Sequence, residues 1–258
     1  MPFSAADVES SAYLRLLVLG GPKVGKTRTV IDTASAAFGE GYVINCDDQF
    51  SLKPAAAVTN KFQWDPVYSG DLFAQMEKAI KEARDGVREN RYKWILWDTI
   101  TYYAQRIETI ILDSTDTGKG PDGRRAYPMY EKQLRNVVDR LFTVKAHVIL
   151  NAHYIDVKGA LIDNQLDKSG DGIVPMLAGK ARATIPAMCQ DVAFMEKRGN
   201  KRVFVLSSEG VWGPGCRNLD GISVMDADIG ALWAEMQRQD KARNVLPKQS
   251  ATTKAKVK

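Results

Sequence analysis

The octapeptide Gly20-Gly-Pro-Lys-Val-Gly-Lys-Thr27 sets two glycines, a lysine and a hydroxyl in the spacing G-x-x-x-x-G-K-[ST]. Each residue type has a task in holding a phosphate chain. Glycines at 20 and 25 let the backbone curl closely around an anion, so that successive N–H groups point inward. A helix beginning near Gly25 adds the positive end of its dipole. Lys26 can reach the β- and γ-phosphates, and the Thr27 hydroxyl is placed to ligand Mg²⁺. The expected binding set is Gly20, Gly21, Pro22, Lys23, Val24, Gly25, Lys26, Thr27 and Arg28, with ATP as ligand and Mg²⁺ as cofactor.

A nucleotide site with Mg²⁺ needs a second group on the metal side, and Asp98 ends the apolar run Trp94-Ile-Leu-Trp97. A carboxylate at the C-terminal end of a central strand faces the same crevice as the phosphate loop and can hold the metal through water. The competing role for Asp98 is to cap the helix beginning near Thr101, a task open to Thr99 as well. Hydrolysis further requires a group that orients or deprotonates water. Asp47 and then Asp48, after the run Tyr42-Val-Ile44, are the candidates, against the plain alternative of two turn aspartates. His153, after His147-Val-Ile-Leu150, is placed to sense the terminal phosphate, unless it is an ordinary buried histidine.

These side chains need strands to carry them and helices to cover the strands. Leu14–Leu19 is a short apolar run that stops at glycines, the pattern of a buried strand, and Thr27–Phe38 reads as the helix after it, ended by Gly39. Tyr42–Ile44, Trp94–Trp97 and His147–Leu150 read as further strands. Asp71–Arg84, Thr101–Leu112 and Tyr130–Val144 have helical spacing. Asp113–Arg125 is a loop by composition. Val192–Met195 and Val203–Leu206 flank a polar turn, which predicts an antiparallel hairpin, and Asp228–Gln239 a closing helix. Alternating strands and helices predict an α/β fold, a mostly parallel sheet covered on both faces, with an antiparallel C-terminal β extension. One domain, residues 1–240, is expected, followed by a tail over 241–258.

The composition narrows the classes of function. At 258 residues, 45% hydrophobic and 26% charged, the chain has the mix of a globular protein. It has no apolar stretch of spanning length and no leader-like start, which predicts no membrane segment and no signal peptide. Three scattered cysteines (Cys46, Cys189, Cys216) suggest neither a disulfide framework nor a zinc site, and point to a reducing, cytoplasmic setting. Of the 36 Lys and Arg, six lie between Lys241 and Lys258, a segment without acids. The rest nearly balance the 31 Asp and Glu. The net charge of +5 therefore belongs to a low-complexity tail, expected to be disordered and able to hold polyanions loosely.

The phosphate loop, the carboxylates Asp47 and Asp48, the strand ending in Asp98 and the strand before His153 come in the order of the RecA-like ATPases. The chain most resembles the small phage-type RecA-fold NTPases, core-only relatives that act as recombinases or single-strand annealing proteins. Leu177-Ala-Gly-Lys-Ala-Arg182 resembles that family's Gly-Lys-Ala stretch, and Trp212–Arg217 its tryptophan followed by Lys-x-Arg, with Gly215 in place of the lysine. The resemblance implies Asp47 as the catalytic carboxylate and Arg217 as an arginine reaching a neighbouring subunit's nucleotide. It also implies a homo-oligomeric ring or filament, and DNA-lining segments at Asp113–Arg125 (Lys119, Arg124, Arg125) and Tyr154–Arg182 (Lys158, Lys168, Lys180, Arg182), with Tyr127 and Tyr154 as base-stacking candidates. The implied function is an ATPase, stimulated by single-stranded DNA, in phage-type recombination. The alternatives are a motor or regulatory NTPase of the same fold, such as a helicase-like or packaging factor, and a small-molecule kinase.

Overall fold

A computed structural model describes residues 12–116, 118, 120–157, 161–162, 165–166, 172–206, 215–216 and 219–244. The elements, in chain order, begin with β1 (Arg15–Leu19), α1 (Lys26–Phe38) and β2 (Gly41–Asn45). A 3₁₀ turn (Gln49–Leu52) leads to α2 (Lys53–Ala56), β3 (Phe62–Pro66), α3 (Leu72–Arg88), β4 (Trp94–Asp98), α4 (Ile100–Thr115) and α5 (Gly123–Phe142). Then come β5 (His147–Ala152), β6 (Tyr154–Val157), β7 (Leu161–Ile162), β8 (Gln165–Leu166), β9 (Gly172–Pro175) and α6 (Ala181–Met188). The chain closes with β10 (Asp191–Arg198), β11 (Lys201–Val205), β12 (Gly215–Cys216), β13 (Val224–Asp226) and α7 (Ile229–Asn244).

The main sheet runs β13-β11-β10-β1-β5-β4-β2-β3, with β12 also paired to β10. Strands from β10 through β3 are mutually parallel, and β11, β12 and β13 are antiparallel additions. The expected fold class is the one observed. Parallel strands buried on both faces read as unbroken apolar runs, and alternate residues divide between two cores. Leu17, Leu19, Ile95, Trp97, Val148 and Leu150 join the core under α3, α4 and α5. Leu16, Val18, Trp94, Leu96 and Ile149 join the core under α1 and α7. On α3 the buried positions Leu72, Met76, Ala79, Ile80 and Ala83 make one helical stripe. Each large aliphatic side chain so buried contributes roughly 1.5–3 kcal/mol.

Caps explain where several helices start. Asp71 accepts a bond from Ala74 N, Thr99 from Tyr102 N, Asp122 from Arg124 N and Asp228 from Ala231 N. Arg15, buried on β1, donates to the carbonyls of Phe142, Val144 and Ala146, which tie the end of α5 to the start of β5. Burial lowers its pKa to about 10, so it keeps its charge.

Several sequence expectations shift. The loop expected over 113–125 is shorter, because α4 continues to Thr115 and Asp122 starts α5. Arg124, Arg125 and Tyr127 therefore ride on the first turns of a helix. The segment expected to line DNA over 154–182 contains regular structure: β6 pairs with β9, and Arg182 lies on α6 with Lys180 at its N-cap. Strand β3 was not foreseen at all. The closing helix runs on to Asn244, so a boundary at 240 falls inside α7, and residues 245–258 lie outside those described.

Candidate functional site

Strands β1, β4 and β5 are adjacent and parallel, so their C-terminal ends open onto one edge of the sheet. Residues 20–25 leave β1 at that edge and turn into α1. Two residues adopt left-handed backbone there, Lys23 with φ 60° and Gly25 with φ 95°. Gly20 needs its missing side chain for a second reason: a Cβ would stand 2.8 Å from the Met195 carbonyl on β10.

Lys26, the first residue of α1, is buried. Its Nζ donates to the Gly20 and Gly21 carbonyls at 2.7 and 2.9 Å and lies 3.4 Å from His153 Nδ1. Burial lowers its pKa to about 8, with Asp98 and then Asp47 opposing the shift. Thr27 Oγ1 donates to Asp98 Oδ2 at 2.7 Å, and Asn151 Nδ2 to Asp98 Oδ1 at 2.8 Å. Asp98 is wholly buried, and desolvation pushes its carboxyl above the ordinary range against those two bonds and the Lys26 charge. Helix capping falls to Thr99, leaving Asp98 to face the loop.

The tandem aspartates separate. Asp48 is exposed and caps the 3₁₀ turn, accepting from Phe50 N and Ser51 N at 2.7 and 2.9 Å, which is the plain turn role. Asp47 is half-buried. It accepts from Asp48 N, and its charge acts on both Lys26 and Asp98. His153 is half-buried, with its backbone N–H bonded to Thr101 Oγ1 and its ring edge-on to Tyr102. Burial, then the Lys26 charge, lowers its pKa to about 4. A bond to the Gly20 backbone opposes that shift. Nε2 is buried without a hydrogen-bond partner among the described residues.

Thus Lys26, Thr27, Asp47, Asp98 and His153 come together, whereas Asp48 stands aside as a cap. Arg217 lies outside the described residues, as do Lys119, Lys158 and Lys168. Tyr154 packs edge-on against Phe194 beside Gly21 and is not an open stacking platform, while Tyr127 is exposed. Asn151 and Arg106, whose Nη1 donates to the Cys46 carbonyl, were not singled out from the sequence. Neither was Arg202 on β11, whose Nε donates to the Val24 carbonyl at 2.7 Å.

The residues fit Mg²⁺. A hydroxyl and a carboxylate already 2.7 Å apart form an all-oxygen pair beside the lysine, the donor chemistry that ion favours. Thr27 would be its direct ligand and Asp98 would hold it through water. The ion would supply charge neutralisation at the bound phosphates.

A glycine loop between strand and helix, a lysine and threonine opening that helix, and a carboxylate ending a nearby parallel strand define a P-loop NTPase. Residues 12–213 match the AAA domain family (AAA_24), and the chain belongs to it. Among solved structures it is similar to one described as a prototypical ATPase from the type III secretion system of pathogenic bacteria, with a TM-score of 0.50 and 12% identity. That likeness concerns the fold. It covers 71% of this chain and 52% of the other, so the chain spans about half the length of that relative. No curated protein matches the sequence.

Proposed function

We propose that the protein is an ATPase of the RecA-like type that binds single-stranded DNA and promotes annealing or strand exchange as a homo-oligomer. The observation that carries the ATPase reading is the cluster of Lys26, Thr27 and Asp98 under the 20–25 loop. Loop N–H groups and the start of α1 take the phosphates, and the Lys26 ammonium exchanges its carbonyl partners for phosphate oxygens. Asp47 orients the attacking water and accepts its proton. His153, neutral and beside Lys26, senses the terminal phosphate and passes its loss to β6.

The DNA reading rests on the resemblance to phage-type RecA-fold proteins. Exposed cations on the segments after β4 and β5 support it: Arg124 and Arg125 on α5 and Lys180 before α6, with Tyr127 exposed nearby. Nucleotide between subunits, with Arg217 or Lys180 of one chain at the phosphate of the next, would tie DNA affinity to the nucleotide state. The test is ATP turnover by the full chain with and without single-stranded DNA. Stimulation supports the recombinase reading. Turnover indifferent to DNA assigns the protein instead to motor or regulatory NTPases of the same fold.

A further inference from the structure

The β10–β11 hairpin reaches the phosphate loop from the side opposite to the groups discussed so far. In the sheet, β10 and β11 flank β1 on one side, and β5, β4 and β2 lie on the other. Lys26, Asp98, Asp47 and His153 all belong to β1's loop or to this second side. Arg202 belongs to the first. It pairs with Lys197 across the hairpin, and β10 at this point has already run past the end of β1, whose last partner is Phe194. The arginine therefore sits at the sheet edge where the loop lies.

Its guanidinium is held against that loop. Nε donates to Val24 O at 2.7 Å. The place where a side chain on Gly25 would stand is filled by Arg202, with Nε, Cζ and Nη2 at 2.5, 2.9 and 2.9 Å from that position. One of the five N–H donors is used on the loop. Those on Nη1 and Nη2 make no hydrogen bond or ion pair among the described residues, and the side chain is exposed. A structural arginine spends its fork on the protein, as Arg15 does. Arg202 is anchored by one atom and keeps the rest.

A nucleotide on the loop has a direction. If Asp47 and His153 act on the terminal phosphate, that end points toward β5 and β2. The α-phosphate, ribose and base must then leave over the opposite rim, where Arg202 stands. We propose that Arg202 is a nucleotide-binding residue of this same chain that holds the nucleoside end of ATP or ADP. Its free Nη donors take ribose oxygens, and its planar face takes the base. The inference rests on the nucleotide reading given above and adds the nucleoside-recognising arm to it. The bond to Val24 O pre-orients the fork, and ligand and loop then share one guanidinium.

The experiment separates this role from two others by using a ligand without a nucleoside. Mg·ADP and Mg·pyrophosphate are titrated calorimetrically into the full-length protein and into Arg202→Ala and Arg202→Gln, with kcat and KM for ATP measured alongside. Loss of a charge-assisted contact predicts ADP affinity about tenfold weaker in both variants. Pyrophosphate affinity should be unchanged, KM for ATP should rise by the same factor as the ADP Kd, and kcat should stay put. Parallel losses for ADP and pyrophosphate overturn the proposal and make Arg202 a brace of the loop. Unchanged ADP affinity, or a fall in kcat alone, overturns it as well, the latter by placing the arginine at the terminal phosphate. Wild-type protein that binds pyrophosphate but not ADP refutes the nucleoside arm and leaves the phosphate loop standing. Binding of neither ligand removes the nucleotide reading and the inference together.

Discussion

Raising the pH from 7 to 9 should loosen ADP binding about tenfold through Lys26. In the free protein this lysine is buried under the loop carbonyls and titrates at about 8. A bound diphosphate surrounds it with negative charge and returns it at least to the ordinary lysine range of about 10.4. Binding therefore takes up a proton wherever the free lysine has lost one. Below pH 8 the free lysine is already charged and affinity is flat. Above it the affinity falls as the charged fraction of the free protein, by about twofold at pH 8 and about elevenfold at pH 9. The neighbours leave this window clear: His153 titrates at about 4 and is neutral throughout, and burial pushes Tyr102 above the ordinary tyrosine value of 10. Phosphate groups with a second pKa of about 6 are fully ionised by pH 8. The assay is calorimetric Kd for Mg·ADP at half-unit steps from pH 7 to 9.5, repeated in two buffers so that their heats report proton uptake. Affinity unchanged to pH 9.5, with no proton taken up, would refute the reasoning. It would show that Asp98, Asp47 and the two carbonyls outweigh burial and keep the free lysine charged.

Further outcomes are expected for the site carboxylates and for Arg217. Asp47→Asn should slow ATP turnover while leaving ADP affinity intact, because an amide fills the space without accepting water's proton. Asp48→Ala should keep turnover and cost about 1 kcal/mol in chemical denaturation, the worth of a cap; the reverse pattern would exchange their roles. Asp98→Asn removes a wholly buried charge but can keep partners for Thr27 and Asn151, so it should raise the melting temperature by about 2–4 °C while abolishing Mg²⁺-dependent hydrolysis. A lower melting temperature would mean that the carboxylate stabilises the fold. If Arg217 acts across a subunit boundary, mixing Arg217→Ala with Lys26→Ala should restore some turnover that neither has alone; its absence from co-assembled mixtures would place Arg217 in its own chain's site or outside any site.

What could be read from the sequence was local, and what could not depended on distance. The phosphate loop was legible because eight consecutive residues carry it, with an apolar strand before and a helix after. Asp98 was legible because strands β1 and β4 are buried on both faces and leave only their ends for polar chemistry. Strand β3, Phe62-Gln-Trp-Asp-Pro66, was not, since an edge strand with half-exposed, mixed residues carries no apolar run or alternation. That Asp48 takes the plain turn role needed the backbone, because only the 3₁₀ turn at Gln49 shows it occupied as a cap. Arg202 is separated from Val24 by 178 residues, and no spacing within Lys201-Arg-Val-Phe-Val205 hints at the loop it touches.

In the proposed function, ATP binds by its phosphates on the 20–27 loop through Lys26 and is hydrolysed there. Steady-state Mg²⁺-ATP hydrolysis by the full-length protein, compared with Lys26→Ala purified in the same way, tests it most directly. Turnover in the wild type should fall by about 10²-fold or more in the variant, since among the described residues Lys26 is the one ammonium bonded under the loop carbonyls. Equal turnover in the two proteins would contradict it.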